Sequence, residues 1–386
     1  MVERFDRRTA LAIGAGALAS TPLWAQLTKP AAPALTDAFP GKRGMILQRT
    51  RAPLLETPIA AFDGALTDSP FTPNDRFFVR WHYDDIPLSV DVAAFRLKIG
   101  GAVKRALSLS LADIQALPQV EIAAVNQCSG NSRGLFAPRV PGAQWGNGAM
   151  GNALWTGVRL RDILERAGVA PGAVQVRFSG LDNPPGAAPD FAKALNLDRA
   201  MAADTIVAYG MNGTQLPLLN GFPLRLVVPG WFSTYWVKAL DTVEVLTTPD
   251  TGYWMEKAYR IPTAPRASVV PGAKDFPTAP IGAMIPRAFF TRADATAVRG
   301  VALGGDAGVA KVEWSIDAGK SWRAAELGPD HGAYGFRRWA ARLPAGSHTV
   351  AVRATNAKSA TQTADPIWNP GGYMRNTIET AKVSIA

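Results

Sequence analysis

The sequence predicts an α+β fold: a mixed domain of strands and short helices, followed by an all-β sandwich of immunoglobulin type. Three observations carry this expectation. Strand-like and helix-like runs follow one another irregularly through residues 76–265, without the strand–helix–strand repetition of a doubly wound sheet. From Pro277 onward, short alternating strands recur with turns between them. Gly (36) and Pro (30) are abundant among the 386 residues, which suits many turns and long connections rather than a helical bundle.

Composition sets the outer limits. Apolar residues make up 47% of the chain and charged ones 19%, enough to fill sizeable cores and too few charges for wholesale disorder. At ~150 residues per domain the length suits two or three domains. The net charge of +10 comes from scattered Lys and Arg, with no run dense enough to read as a nucleic-acid-binding tail. It serves ordinary solubility, or the attraction of an anionic substrate or acidic partner. A single cysteine rules out an intrachain disulfide, an all-cysteine zinc site and a cysteine-ligated iron–sulfur cluster.

Along the chain, residues 1–25 read as an export signal. Arg7-Arg8 precede the apolar run from Leu11 to Ala19, and the small residue Ala25 closes the segment. The run is shorter than the ~20 residues of a membrane span. The arginine pair suits the twin-arginine route to the periplasm. Residues 26–75 read as a Pro-rich arm. Phe77 to His82 and Phe95 to Gly100 read as strands, and Ser110 N-caps a short helix. Glu121 to Val125 reads as a strand running into Asn126-Gln127-Cys128-Ser129-Gly130-Asn131. Val158 to Leu164 reads as an amphipathic helix ended by Gly168. Val174 to Phe178, Thr205 to Tyr209 and Leu224 to Val228 read as further strands. The boundary to the sandwich is placed at residues 265–266. Within 266–386 the strands are Val298 to Leu303, Val309 to Ile316, Phe336 to Ala341 and His348 to Thr355, with a hairpin at Asp317 to Lys320.

Three places carry chemistry. Cys128 sits in a Gly/Ser/Asn-rich loop, a composition that lets backbone approach a ligand. It can be read as a buried apolar side chain, a nucleophile or a soft metal ligand. A nucleophile needs a base, and two of the three histidines, His331 and His348, fall in the sandwich region. A thiolate ligand fits better, with the remaining donors supplied by an organic cofactor. His82 follows Arg80 by two residues, which on a strand puts both on one face, suited to an anionic group. Arg225 and Lys238 flank Pro229-Gly230.

Several runs resemble the sulfite oxidase family. Val125 to Arg133 resembles its molybdenum-binding segment. Trp145-Gly146-Asn147-Gly148-Ala149, Trp155 to Leu160, Ala208 to Gly213 and Gly221 to Gly230 resemble further family motifs in the same order, and Val312 to Asp317 resembles its dimerisation domain. The likeness covers about residues 40–386. It implies a sulfite-oxidase-type molybdopterin domain over residues 76–265, followed by a dimerisation-type sandwich. Cys128 would be the one protein thiolate on molybdenum, beside the dithiolene of molybdopterin. Arg80 and Arg133 would line the substrate pocket, their guanidinium forks suited to sulfite. Tyr259 matches an active-site tyrosine. His82, Arg225 and Lys238 match residues that hold the pterin and its phosphate, and Asp182 matches a further pterin contact more weakly.

Two positions depart from the pattern. Asn220 stands where the vertebrate members have a pterin-binding histidine; it can hydrogen-bond but carries no charge. Trp368-Asn369 is followed by Pro370-Gly371-Gly372 where the family has an arginine, which leaves Arg375 as the candidate substitute. The sequence has no Cys-x-x-Cys-His haem motif. The resemblance therefore implies a periplasmic sulfite dehydrogenase that passes electrons to a separate c-type cytochrome, as a homodimer or as a heterodimer with a cytochrome subunit. Its rivals are a sulfane dehydrogenase subunit of a thiosulfate-oxidising system, a methionine-sulfoxide reductase of related fold, and a non-enzymatic binding module.

Overall fold

A computed structural model describes residues 34–386; the export signal read at residues 1–25 lies outside the described residues. Part of the stretch read as an arm is folded. Leu35–Thr36, Met45–Arg49 and Leu54–Glu56 form an antiparallel meander completed by Val79–Arg80. Met45, Leu55, Val79 and Trp81 close its core. The strand that carries Arg80 ends there, so His82 lies beyond it, and the same-face reasoning from strand periodicity does not hold for this pair.

Two five-stranded sheets follow. In the first, the order is Lys193–Asn196, Gln175–Gly180, Leu240–Leu246, Leu97–Gly101 and Leu107–Leu109; Leu240–Leu246 runs parallel to Leu97–Gly101 and the other neighbours are antiparallel. In the second, Gln119–Gln127, Met150–Arg159 and Ile206–Met211 form an antiparallel centre, to which Arg225–Val227 and Thr214–Gln215 add.

The short helix Leu111–Gln115 is opened by Ser110, whose Oγ accepts from the Asp113 amide (3.1 Å) while Asp113 returns a bond to the Ser110 amide (2.9 Å). The amphipathic helix is Leu160–Ala167, closed by Gly168 at φ 73°. It begins two residues later than the sequence suggests. Val158 and Arg159 are held in strand geometry by pairing with Gln119 on one side and with Val207 and Ile206 on the other.

The C-terminal domain is a sandwich of two four-stranded sheets. One is ordered Arg287–Ala293, Ala297–Leu303, Arg337–Arg342, Glu326–Leu327; the other Arg323–Ala324, Val309–Ser315, Gly346–Asn356, Glu379–Ile385. The pairing of Val309–Ser315 with Arg323–Ala324 makes the hairpin expected around Asp317 to Lys320. Val298, Val312, Trp314, Trp339, Val350 and Val352 fill the space between the sheets, and no disulfide is needed. Residues 278–284 pack with the preceding domain rather than with the sandwich. Thr278–Pro280 pairs back onto Arg260–Pro262, and Ile281 and Met284 are buried in the first domain's core.

The two domains share that core. Phe289, Leu303 and Phe336 of the sandwich are buried in it. Arg338, also from the sandwich, donates to the carbonyls of Phe62 (2.7 Å) and Ser69 (2.8 Å). No helix among the described residues is long and apolar enough to cross a membrane.

Candidate active site

The strand Gln119–Gln127 delivers the chain to Cys128, which lines a cavity in the first domain. The cysteine is fixed from outside its own loop, its amide donating to the Ala149 carbonyl at 2.9 Å. The loop then turns tightly: the Asn131 amide reaches the Cys128 carbonyl (2.9 Å), and Ser132 takes a left-handed φ of 68°. The glycines of Trp145-Gly146-Asn147-Gly148 let this support lie against the Glu56 strand. Glu56 accepts from the Gly146 and Gly148 amides (3.1 and 3.0 Å), and a Cβ at Gly148 would fall 1.8 Å from the Thr57 carbonyl oxygen.

Arg80, His82, Cys128, Arg225, Lys238 and Tyr259 all line this cavity, although they are spread over about 180 positions. His82 stacks on Phe191 (centroids 3.7 Å apart, planes 20° apart), and its Nε2 shares a hydrogen bond with the Tyr259 hydroxyl at 2.7 Å. Burial, reinforced by Arg80 and Lys238, holds this imidazole well below its ordinary pKa, so it is neutral at pH 7. Tyr259 adopts a left-handed φ of 55°, and burial pushes its hydroxyl pKa up. A bulky residue held in that conformation costs ~1–3 kcal/mol, which the surrounding structure must offset.

Arg225 is buried between the rings of Trp155 and Trp236, 5.3 and 5.9 Å away. It donates to the Asn220 carbonyl (2.9 Å) and to Asn126 Oδ1 (3.0 Å), and burial holds its guanidinium down at about 9. Lys238 lies 4.3 Å from the Trp81 ring centroid. Burial first, then Arg225, lower its ammonium to about 7 against the opposing pull of Asp182. Asp182 itself is raised to about 6 by burial, with Lys238 opposing.

Four candidate residues stand outside the lining. Asp182 is buried beside Lys238. The Asn220 amide is already committed: its Oδ1 accepts from Lys42 Nζ (2.6 Å) and its Nδ2 donates to the Phe78 carbonyl (3.2 Å), so it contributes through the Arg225 bond to its backbone. Arg133 packs beside the cavity, Nε donating to the Gly371 carbonyl at 3.0 Å and its guanidinium 5.2 Å from the Tyr373 ring centroid. Arg375 is occupied elsewhere, paired with Glu379 at 2.7 Å.

Several contributors escaped the sequence reading. Ser129, Phe191, Ser233, Thr234 and Trp236 line the cavity as well. Lys193 lies behind Tyr259, donating to the Trp254 carbonyl at 2.6 Å. The polar residues Ser233 and Thr234, set within the aromatic run from Trp231 to Trp236, were the available signal.

The cavity is shaped for a polar guest. Arg80 Nη1, His82 Nδ1, Ser129 Oγ, Thr234 Oγ1 and Arg225 Nε are all buried without a partner, and each belongs to a lining residue. A buried polar atom left unpaired costs ~1–3 kcal/mol. Five such atoms around one space imply a ligand that pairs them. Among the described residues no group of three or more His, Cys, Asp or Glu side chains is placed to hold a metal.

Comparison with known proteins agrees. Residues 83–254 match the oxidoreductase molybdopterin binding domain, and residues 284–385 the Mo-co oxidoreductase dimerisation domain. Over 378 residues the chain is 32% identical to the sulfite oxidase of Gallus gallus, covering 89% of this chain and 80% of that one. The chain belongs to the sulfite oxidase family. The mitochondrial sulfite oxidase of Macaca fascicularis is 34% identical over 83% of this chain, which spans 63% of that longer protein. The sulfane dehydrogenase SoxCD of Paracoccus pantotrophus superposes with a TM-score of 0.74 at 20% identity, over 97% of this chain and 94% of its own, a likeness of fold. As a member of the sulfite oxidase family, the protein takes a molybdenum–molybdopterin cofactor, and the unpaired donors and buried cations of the cavity fit that anionic, hydrogen-bonding group. Cys128 would hold the metal, and His82, Ser129, Thr234, Arg225 and Lys238 would hold the pterin and its phosphate.

Proposed function

We propose that the protein oxidises sulfite to sulfate and passes the electrons to a separate c-type cytochrome in the periplasm. The observation that carries this reading is the meeting of Cys128 and Arg80 in one cavity, with Arg80 Nη1 buried and unpaired. The cofactor, when bound, supplies the two-electron couple and the oxygen-atom transfer. The chain supplies recognition and placement. Arg80 and Arg133 offer guanidinium forks that match the oxygens of a small trigonal oxyanion. Where Arg80 Nη1 is buried, little water remains to screen its pull. The Tyr259 hydroxyl, held by His82 Nε2, presents a fixed hydrogen-bonding group without net charge. The neutral imidazole neither competes with the arginines for the anion nor adds to the charge they must tolerate.

Overall, sulfite and water yield sulfate, two electrons and two protons. The acceptor role is assigned to a separate c-type cytochrome, which the +10 net charge would attract if its docking face is acidic. The periplasmic location rests on the export signal read at residues 1–25, and a pairing through the dimerisation domain, with a second copy or with the cytochrome, rests on the family match at residues 284–385.

The test is turnover with free sulfite and oxidised cytochrome c, alongside metal analysis of the purified protein. About one molybdenum per chain and sulfite-dependent cytochrome reduction are expected. A molybdenum-containing protein inert towards free sulfite, but active on sulfur bound to a carrier protein, would replace this reading with the sulfane dehydrogenase alternative. Substituting Arg7 and Arg8 by Lys should trap the protein in the cytoplasm; export at the wild-type level would reject the twin-arginine assignment.

A further inference from the structure

Residues 367–376 form a strap that leaves the sandwich and returns to the first domain. Trp368 Nε1 donates to the Pro138 carbonyl (2.8 Å), Asn369 Nδ2 to the Ala267 carbonyl (3.1 Å), and the Met374 amide to the Ser129 carbonyl (3.2 Å). Asn369 is fully buried, and its Oδ1 accepts from the Tyr373 amide at 3.0 Å, which fixes where that ring enters. The strap passes so close to Arg133 that a Cβ at Gly372 would lie 2.7 Å from Arg133 Cγ.

We propose that Tyr373 is a positioning residue of the substrate pocket, its ring holding the Arg133 guanidinium and the Tyr259 ring in place for a small oxyanion. This rests on the sulfite reading above. Arg133 has no ion-pair partner among the described residues, and its one hydrogen bond to protein there is from Nε to the Gly371 carbonyl at 3.0 Å. Its terminal nitrogens are left for a ligand, while the Tyr373 ring, 5.2 Å from the guanidinium carbon, supplies the attraction that keeps the fork from swinging away. The same ring stacks on Tyr259 with centroids 5.6 Å apart and planes 22° apart. One aromatic side chain thus connects the arginine to the tyrosine that His82 holds. Near Trp368-Asn369, where Arg375 was the candidate for the arginine of the family pattern, the side chain that reaches Arg133 is Tyr373. Arg375 does not take it, because Glu379 engages both Arg375 and Arg287 at 2.7 Å.

The experiment compares molybdenum-loaded wild type, Tyr373→Ala, Tyr373→Phe and Tyr373→Leu by two readouts: steady-state kinetics with sulfite, and calorimetric binding of sulfate, a non-reacting oxyanion. Removing the ring in Tyr373→Ala should raise the KM for sulfite and the Kd for sulfate together by about tenfold, with kcat changed less than about threefold. Tyr373→Phe keeps the ring and should stay within about twofold of wild type in both. Tyr373→Leu keeps most of the volume without the π face. It should behave like Tyr373→Ala, and it decides the matter should the alanine variant fold poorly. An unchanged sulfate Kd in the leucine variant overturns the proposal, as does a phenylalanine variant as impaired as the alanine one. Should wild type fail to oxidise sulfite, the substrate reading falls on its own, and the sulfate affinities still decide the role of Tyr373.

Discussion

The cofactor cavity and the sandwich handle charge in opposite ways. In the sandwich, cations meet acids: Arg353 and Lys311 share Glu313 (2.9 and 3.0 Å), and Arg299 meets Asp294 at 2.6 Å. Asp317 is satisfied by hydroxyls, with Ser315 Oγ donating at 2.6 Å. Around the cavity, none of Arg80, Lys193, Arg225 and Lys238 forms an ion pair among the described residues. Burial lowers the pKa of Lys193, Arg225 and Lys238 instead. A chain selected for stability alone would not keep unpaired cations and orphaned donors in one place. Orphaned atoms occur in the sandwich too, at Arg287 Nε and Trp339 Nε1, but the cavity gathers five around one space beside cations without ion pairs, and that concentration locates function.

The largest way to break this contrast is at the metal. Cys128→Ser should abolish sulfite oxidation, since a hydroxyl is a harder and poorer donor than a thiolate, while the melting temperature of the chain changes little. Turnover near the wild-type rate in a molybdenum-containing Cys128→Ser protein would remove Cys128 from its assigned role. Next in size, Arg80→Gln removes a charge-assisted contact worth ~1.5–3 kcal/mol, so the KM for sulfite should rise roughly tenfold to a hundredfold with little loss of stability. An unchanged KM with a large fall in melting temperature would make this arginine a structural one, like those of the sandwich.

A third prediction concerns pH. In the chain without cofactor, Lys238 titrates at about 7 against an ordinary 10.5. Between those values the unfolded chain binds more protons than the folded one, so stability should rise with pH across that interval. Asp182, raised to about 6 from 3.8, acts in the other sense: the folded chain holds the proton longer, so its contribution weakens as pH rises from about 4 to 6. Thermal melts of cofactor-free protein from pH 7 to 9 should therefore climb, and Lys238→Met should flatten the rise. Identical pH profiles for the two proteins would show that Lys238 is not the strained cation described. The smallest effect is on encounter with the acceptor. The net charge is +10; residues 1–25 hold Arg4, Arg7 and Arg8 against Glu3 and Asp6, so their removal leaves 10 − 1, or +9. Reduction of an acidic cytochrome should slow as salt rises, because screening acts beyond ~8–10 Å. Faster reduction of that cytochrome at high salt would place docking on a different surface.

Most of the fold was legible in the sequence because local chemistry and tertiary pairing agree there. Ser110 caps a helix, Gly168 ends one, and the sandwich strands alternate as half-buried strands do. The misplacements have tertiary causes. Val158 and Arg159 look helical in isolation, yet Val158 has a strand on either side and Arg159 pairs with Ile206. Residues 266–286 look like the start of the sandwich, yet Thr278–Pro280 finds its partner in Arg260–Pro262. The site divides similarly. Cys128 and the residues around it were readable from a contiguous motif and its likeness to a family. Lys42 and Tyr373 were not, because nothing in the neighbouring residues of either betrays a contact made across 178 positions, as for Lys42 with Asn220, or across two domains.

Arg287 ties the catalytic loop to the domain junction. It is fully buried, its Nη1 donates to Ser132 Oγ at 3.0 Å, and Ser132 directly precedes Arg133 in the loop that begins at Cys128. Arg133 itself is held by the strap, through the Gly371 carbonyl and the Tyr373 ring. Both clasps on the loop thus come from the C-terminal part of the chain, and a substitution made in the sandwich can loosen the substrate arginine without altering any residue that lines the cavity.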